Sequence, residues 1–129
     1  MSARLLCAIA SVFLIAVGMH AQQNESRIYS NVEYNEEGGD LLGVELRVTT
    51  NGSHATGELK IYEGGCASPV EMSGSLTGNK LDLSGKSDMY GKIKFAGAIR
   101  DEKIEGVLSL EKSEKPEKLQ LKKILNPHC

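Results

Sequence analysis

Few residues in this chain carry sharp chemistry. Nucleophilic catalysis needs a base held against a nucleophile. Of the three histidines, His20 lies in the expected leader, which leaves His54, in the turn Asn51-Gly52-Ser53-His54, and His128, beside Cys129 near the C-terminus. Neither belongs to a recognisable constellation, and there is no G-x-S-x-G turn. His54 reads as a solvated turn histidine, because turns run over the surface. A metal site needs convergent His, Cys or carboxylate ligands. Cys66 has no second Cys nearby, and His128-Cys129 is a lone pair in a tail. Asp82, Asp88, Asp101 and the glutamates are scattered through outward positions and turns, so no two stand out as the paired acids of a glycosidase. Gly38-Gly39 and Gly64-Gly65 precede no helix and so do not form a phosphate cradle. The sequence thus predicts no catalytic residue, no metal and no cofactor.

The start of the chain has a transport role instead. Met1-Ser2-Ala3-Arg4, an apolar run from Leu5 to Val17, and Gly18-Met19-His20-Ala21 follow the order of a secretory signal peptide over residues 1–21, cut after Ala21. The apolar run is short for about 30 Å of hydrocarbon, so a membrane span is not expected in the mature chain. What remains, residues 22–129, is the length of one domain. Its loss of Arg4 and of no acid leaves it slightly more acidic than the whole chain, whose net charge is −2. Lys and Glu alternate without a basic block, which argues against nucleic acid as a partner. The expected location is periplasmic or extracellular.

Export also bears on the cysteines. Cys66 and Cys129 form an even pair, and an oxidising compartment favours a disulfide between them. Such a bridge would close a loop of about sixty residues and contribute about 3–4 kcal/mol in the chain-entropy model. Free thiols, or a bridge to another chain, are the alternatives. Asn24-Glu25-Ser26 and Asn51-Gly52-Ser53 fit a glycosylation acceptor in a eukaryotic secretory route; chance matches of that length are common.

The elements that would position these residues are strands. Beyond the signal, apolar residues alternate with polar ones, and Gly, Asn, Asp and Ser punctuate them at short intervals. A first strand is expected over Ile28–Asn35, with Val32 and Tyr34 on one face, followed by a turn at Glu36–Asp40. Leu42, Val44, Leu46 and Val48 alternate cleanly with Gly43, Glu45, Arg47 and Thr49. Asn51-Gly52 is a strong turn signal. A third strand points Leu59 and Ile61 inward and Glu58, Lys60 and Tyr62 outward. Val70-x-Met72-x-Gly74-x-Leu76 then returns as Ile93-x-Phe95-x-Gly97-x-Ile99, each opening a hairpin with a tip at Gly78-Asn79 or Asp101-Glu102. These tips pair Leu76 with Leu81, Gly74 with Leu83, Ile99 with Ile104, Gly97 with Gly106, Phe95 with Leu108 and Ile93 with Leu110. Every pair puts apolar residues or Gly on one face, and a slip of one residue would destroy the agreement. The inward Gly74, Gly97 and Gly106 suggest bends or close backbone approach, with room for a ligand as the alternative. A last strand carries Leu119 and Leu121.

The fold class that follows is all-β: about eight antiparallel strands in up-and-down order, curled or closed into a small barrel that shelters the apolar face. A two-sheet sandwich is the alternative. In an up-and-down barrel the third and eighth strands run oppositely, so Cys66 and Cys129 start at opposite ends. A bridge then requires the tail to fold back along the outside, or one strand to be miscounted. A small apolar pocket at a barrel mouth is the remaining place for function. Tyr34, Met72, Met89, Tyr90 and Phe95 are the larger residues that could line it, or could simply pack.

At Glu37-Gly38-Gly39-Asp40-Leu41-Leu42-Gly43-Val44-Glu45-Leu46, followed by the inward-Gly hairpins, the chain resembles a loose group of small exported bacterial β-meander proteins of unknown function. That resemblance implies a bacterial periplasmic or secreted location and no particular activity. The chain is also distantly similar to calycin and lipocalin barrels, although it has no Trp and therefore no G-x-W signature. The expected function is that of a non-enzymatic exported domain that binds a protein partner or small ligand. Alternatives are a lipocalin-like carrier of a small apolar ligand, and a hydrolase with unrecognised acidic residues.

Overall fold

The computed structural model describes residues 24–129; the expected signal peptide, residues 1–21, lies outside them. The described residues form nine strands: β1 (Glu25–Ser30), β2 (Glu33–Asn35), β3 (Asp40–Asn51), β4 (His54–Gly64), β5 (Val70–Thr77), β6 (Lys80–Ser87), β7 (Gly91–Arg100), β8 (Lys103–Leu110) and β9 (Glu117–Ile124). From β3 to β9 each strand pairs antiparallel with the next. β1 then pairs antiparallel with both β3 and β9. Eight strands therefore close into an up-and-down barrel, and β2, which pairs with β3 alone, extends beyond it.

The hairpin registers agree with the alternation of the sequence. Leu76 faces Leu81 and Gly74 faces Leu83 across the Gly78-Asn79 tip. Ile99 faces Ile104, Gly97 faces Gly106, Phe95 faces Leu108 and Ile93 faces Leu110 across Asp101-Glu102. Gly78 and Asp101 take left-handed backbone at φ 62° and 55°, as tight two-residue tips demand. The barrel interior is filled by side chains. Leu46, Leu59, Leu81, Ile93, Ile104 and Leu121 are fully buried, and Leu83, Phe95, Leu108 and Tyr29 nearly so. Each fully buried aliphatic side chain contributes roughly 1.5–3 kcal/mol relative to exposure, so this interior is the main source of stability.

The expected first strand, Ile28–Asn35, is divided. Ser30 faces Glu45 and Glu33 faces Leu42, so β1 and β2 follow β3 in one unbroken register. Between them, the Asn31 amide donates to the Val44 carbonyl at 3.0 Å, but the Val44 amide donates to the side-chain Oδ1 of Asn31 at 2.7 Å. The side chain has replaced the backbone carbonyl in the ladder. The Val32 amide turns to Ser30 Oγ at 3.0 Å. Gly43 lies opposite with φ 133°, and a Cβ there would sit 2.7 Å from Asn31 Oδ1 and 2.8 Å from Val32 Cα. Tyr34 is consequently on the protruding arm and exposed, and it is Tyr29 that enters the core.

Two ends of the barrel can be distinguished. The upper end carries the β3–β4, β5–β6 and β7–β8 turns. The lower end carries the longer β4–β5 and β8–β9 loops and the β6–β7 turn. Glycines between the ends allow strands to bend sharply against each other. A Cβ at Gly74 would fall 1.9 Å from the Asp82 carbonyl oxygen, a contact with backbone that no rotamer change relieves. Gly74→Ala should therefore lower stability by about 2–4 kcal/mol through overpacking and backbone displacement. Gly65→Ala, where nothing lies within 4 Å of the added Cβ, should stay within about 0.5 kcal/mol of the parent. Urea denaturation of the two variants beside the parent tests the pair; equal midpoints would disprove the close approach.

Candidate functional site

At the upper mouth, the alternation that puts Tyr29 inward also puts Glu25 and Arg27 on its side of β1. They meet Val48 and Thr50 of β3, which face Arg27 and Glu25 across the ladder. Leu76 and Ile99, ahead of the β5–β6 and β7–β8 tips, complete an apolar wall. Together with Gly78 and Asn79 these residues line a cleft of about 270 Å³. The Tyr29 hydroxyl is buried and has no hydrogen-bond partner among the described residues. Tyr29 as a whole is only 1% exposed. A buried polar group without a partner costs about 1–3 kcal/mol, and native structures hold few of them. The Arg27 guanidinium is the polar group beside it: side-chain hydrogen bonding and charge from the Tyr29 phenol are the first causes raising Arg27 above its ordinary value, ahead of the Glu25 charge, although the Tyr29–Arg27 approach does not reach hydrogen-bond geometry. Arg27 gives its hydrogen bond to Glu25 Oε2 at 3.2 Å, and both of those side chains are largely exposed.

A second polar assembly lies on the outside of the barrel. Glu45 of β3 and Tyr62 of β4 point outward by parity, yet both are buried. The cause is the tail after β9. It folds back along the outer wall until Cys129 is bridged to Cys66, with Cα atoms 5.9 Å apart. The Tyr62 hydroxyl donates to Glu45 Oε2 at 3.3 Å. The His128 amide donates to Glu45 Oε1 at 3.1 Å, and His128 Nδ1 lies 2.8 Å from the same oxygen. Lys60 Nζ donates to the Cys129 carbonyl at 3.2 Å and stands 3.9 Å from Glu45 Oε2. The His128 ring meets Tyr62 edge-on, centroids 6.2 Å apart. The carboxylate thus has both oxygens engaged, as a buried acid requires. Burial raises the Tyr62 phenol above its ordinary 10.0, and the Glu45 charge and hydrogen bond add to it.

The lower mouth is a groove of about 520 Å³ between the Gly65–Pro69 loop and the Asp88–Tyr90 turn, with Ile61, Val70 and Glu63 beneath. Burial also raises the Tyr90 phenol, with Glu63 as the next cause.

Of the large residues considered from sequence for a pocket, Met89 and Tyr90 meet at this lower mouth. Met72 and Phe95 are in the core. Tyr34 lies apart, with Asn31 and Leu42 on the β2–β3 arm. Cys66 and Cys129 are joined, by the route that strand parity required. His54 is exposed at the start of β4. Among the described residues, no three His, Cys, Asp or Glu side chains are close enough to hold a metal ion, and no helix is long and apolar enough to cross a membrane. The sequence reading passed over Tyr29 and the Glu45–Tyr62–His128 cluster. The first could have been found from parity, since Glu25, Arg27 and Tyr29 alternate in phase with Leu46 and Val48 once the β1–β3 register is set. The second carried no local signal.

No family model, no curated protein and no solved structure matches the chain. The fold is that of a closed eight-stranded antiparallel barrel, compatible with calycin-like barrels, and the functional reading must come from the geometry.

The tyrosines offer a direct check on the outer cluster. A phenol whose folded-state value lies above the unfolded 10.0 favours folding below that pH. Its contribution is lost as pH rises through the folded-state value. In an alkaline absorbance titration, part of the phenolate signal should therefore come in after the ordinary range, and Tyr62→Phe should remove a share of that late step. An unchanged late step in Tyr62→Phe would show that Tyr62 is not shielded by the tail.

Proposed function

We propose that this chain is a non-catalytic, exported binding domain whose upper mouth takes a small molecule with an apolar body and one hydrogen-bonding group. The observation that carries this reading is the Tyr29 hydroxyl, buried without a well-formed hydrogen bond at a cleft whose apolar walls are Val48, Leu76 and Ile99 and whose rim is Glu25, Arg27 and Thr50. A polar atom retained there at a stability cost is explained by a ligand that satisfies it. The Arg27–Glu25 pair, exposed on both sides, is the rim that must swing aside. The cleft is about 270 Å³, and a cavity of about 150 Å³ suits benzene, so the fitting ligand is larger than a single ring and smaller than a lipid.

The filled interior weighs against a lipocalin-like carrier with its cargo at the barrel centre, for which a cavity of about 300 Å³ or more is usual. A hydrolase with unrecognised acidic residues is weighed down by the setting of Glu45, a buried carboxylate on the outer wall whose two oxygens are already engaged by Tyr62 and His128. The signal-like residues 1–21 and the disulfide support a periplasmic or extracellular location. The resemblance to small exported bacterial β-meander proteins is part of the same reading.

Tyr29→Phe separates binding from folding. Without a ligand the variant should be more stable than the parent by about 1 kcal/mol, because the orphaned hydroxyl is gone. Its affinity for two-ring probes with one hydroxyl, such as 2-naphthol, should fall several-fold, as loss of one hydrogen bond of about 1 kcal/mol implies. Methyl shifts of Val48, Leu76 and Ile99 on titration report where the probe sits. Probes that leave those methyls unmoved, or that bind Tyr29→Phe as well as the parent, would end this reading.

A further inference from the structure

We propose that the Cys66–Cys129 bridge is a reducible clasp: a dithiol opens it in the folded protein, releasing the tail from the outer wall and uncovering Glu45 and Tyr62. The inference is independent of the upper mouth. It rests on three observations. First, barrel closure does not involve the bridge. The wall is shut by the β1–β3 and β1–β9 ladders, and the bridge joins a loop to a tail outside that wall. Second, both cysteines are exposed residues, and exposed bridges are the ones open to exchange. Third, the tail has little else to hold it. Leu125 is 89% exposed, residues 126–129 are exposed, and the contacts are those of His128 with Glu45 and edge-on with Tyr62, and of the Cys129 backbone with Lys60 and Tyr62. What the tail hides, by contrast, is buried almost completely: Tyr62 at 2% and Glu45 at 3% exposure.

The chemistry is ordinary exchange. A thiolate of the dithiol attacks one sulfur of the bridge, the other leaves as a thiolate and takes up a proton, and a mixed disulfide forms. The second thiol of the reagent then resolves it. Two electrons pass to the bridge, leaving Cys66 and Cys129 as thiols and the reagent as a disulfide. Release frees the Gly65–Pro69 loop at the lower mouth as well, since Cys66 lies within it.

The test uses the oxidised full chain under native conditions with dithiothreitol, beside a variant carrying both Cys66→Ser and Cys129→Ser. The expected result has four parts. Iodoacetamide labels Cys66 and Cys129 without denaturant, located by peptide mass so that Cys7 is not counted, and the far-ultraviolet β signal is retained. The His128 amide loses its exchange protection. The late Tyr62 ionisation step moves down toward 10.0. The double variant, which has no thiol at either position to label, should match the reduced chain in the other three. A bridge that yields only after denaturation overturns the proposal. So does a barrel that unfolds on reduction, or a tail that keeps the His128 protection and the late Tyr62 step once both thiols are labelled.

Discussion

β1 is hydrogen-bonded along both edges, from Glu25↔Thr50 to Ser30↔Glu45 on β3 and from Ile28↔Ile124 to Ser30↔Lys122 on β9. This double pairing makes a barrel out of what would otherwise be a seven-stranded curled sheet. An open sheet would leave its inner face wet on at least one side and would expose two edges. Closure instead lets Leu46, Leu59, Leu81, Ile93, Phe95, Ile104 and Leu121 converge on one another, so hydrophobic burial and edge removal are achieved by the same six residues. The pairing with β9 covers three of them, and this short seam is where the wall is thinnest in hydrogen bonds.

The seam also sets where polar groups end up. Because β1 must present Tyr29 to the core opposite Leu46, its in-phase neighbours Arg27 and Glu25 are carried to the upper rim. An inward tyrosine near an open end brings a hydroxyl that the aliphatic packing around it cannot satisfy. On the outer wall the problem is the reverse. Glu45 and Tyr62 are placed for solvent by parity and are buried afterwards by the tail, which supplies His128 as partner. In both places the polar chemistry follows from strand phase together with what covers it, and neither site is built from a catalytic motif.

The same distinction explains what could be read from the chain. The hairpins at Gly78-Asn79 and Asp101-Glu102 were legible because each has a tip signal and an alternating pattern that tolerates one register only. The closed architecture followed from the number of such hairpins. The division of the first strand was not legible, since it depends on the side-chain oxygen of Asn31 outcompeting its own backbone carbonyl for the Val44 amide. That competition is decided by Gly43, twelve residues away in the ladder's return strand, where a Cβ would sit against Asn31 Oδ1. The burial of Tyr62 and Glu45 depends on a contact between residues 45 and 128, with no periodicity to announce it. Tyr34, Met72, Met89, Tyr90 and Phe95 drew notice for their size, yet size alone does not distinguish a core residue such as Phe95 from an exposed one such as Met89.

The Asn31 substitution in the ladder has a further effect on how molecules meet. It lets β2 leave the cylinder and project as an arm with one side of its backbone unshared, beside the exposed Tyr34 and Leu42. A greasy free border of this kind invites a neighbouring molecule to add its own strand. Here the border is three residues long and carries Glu33, with Glu36 and Glu37 at the bend beyond it. Two copies approaching border to border would bring these acids together, and their mutual repulsion opposes that pairing.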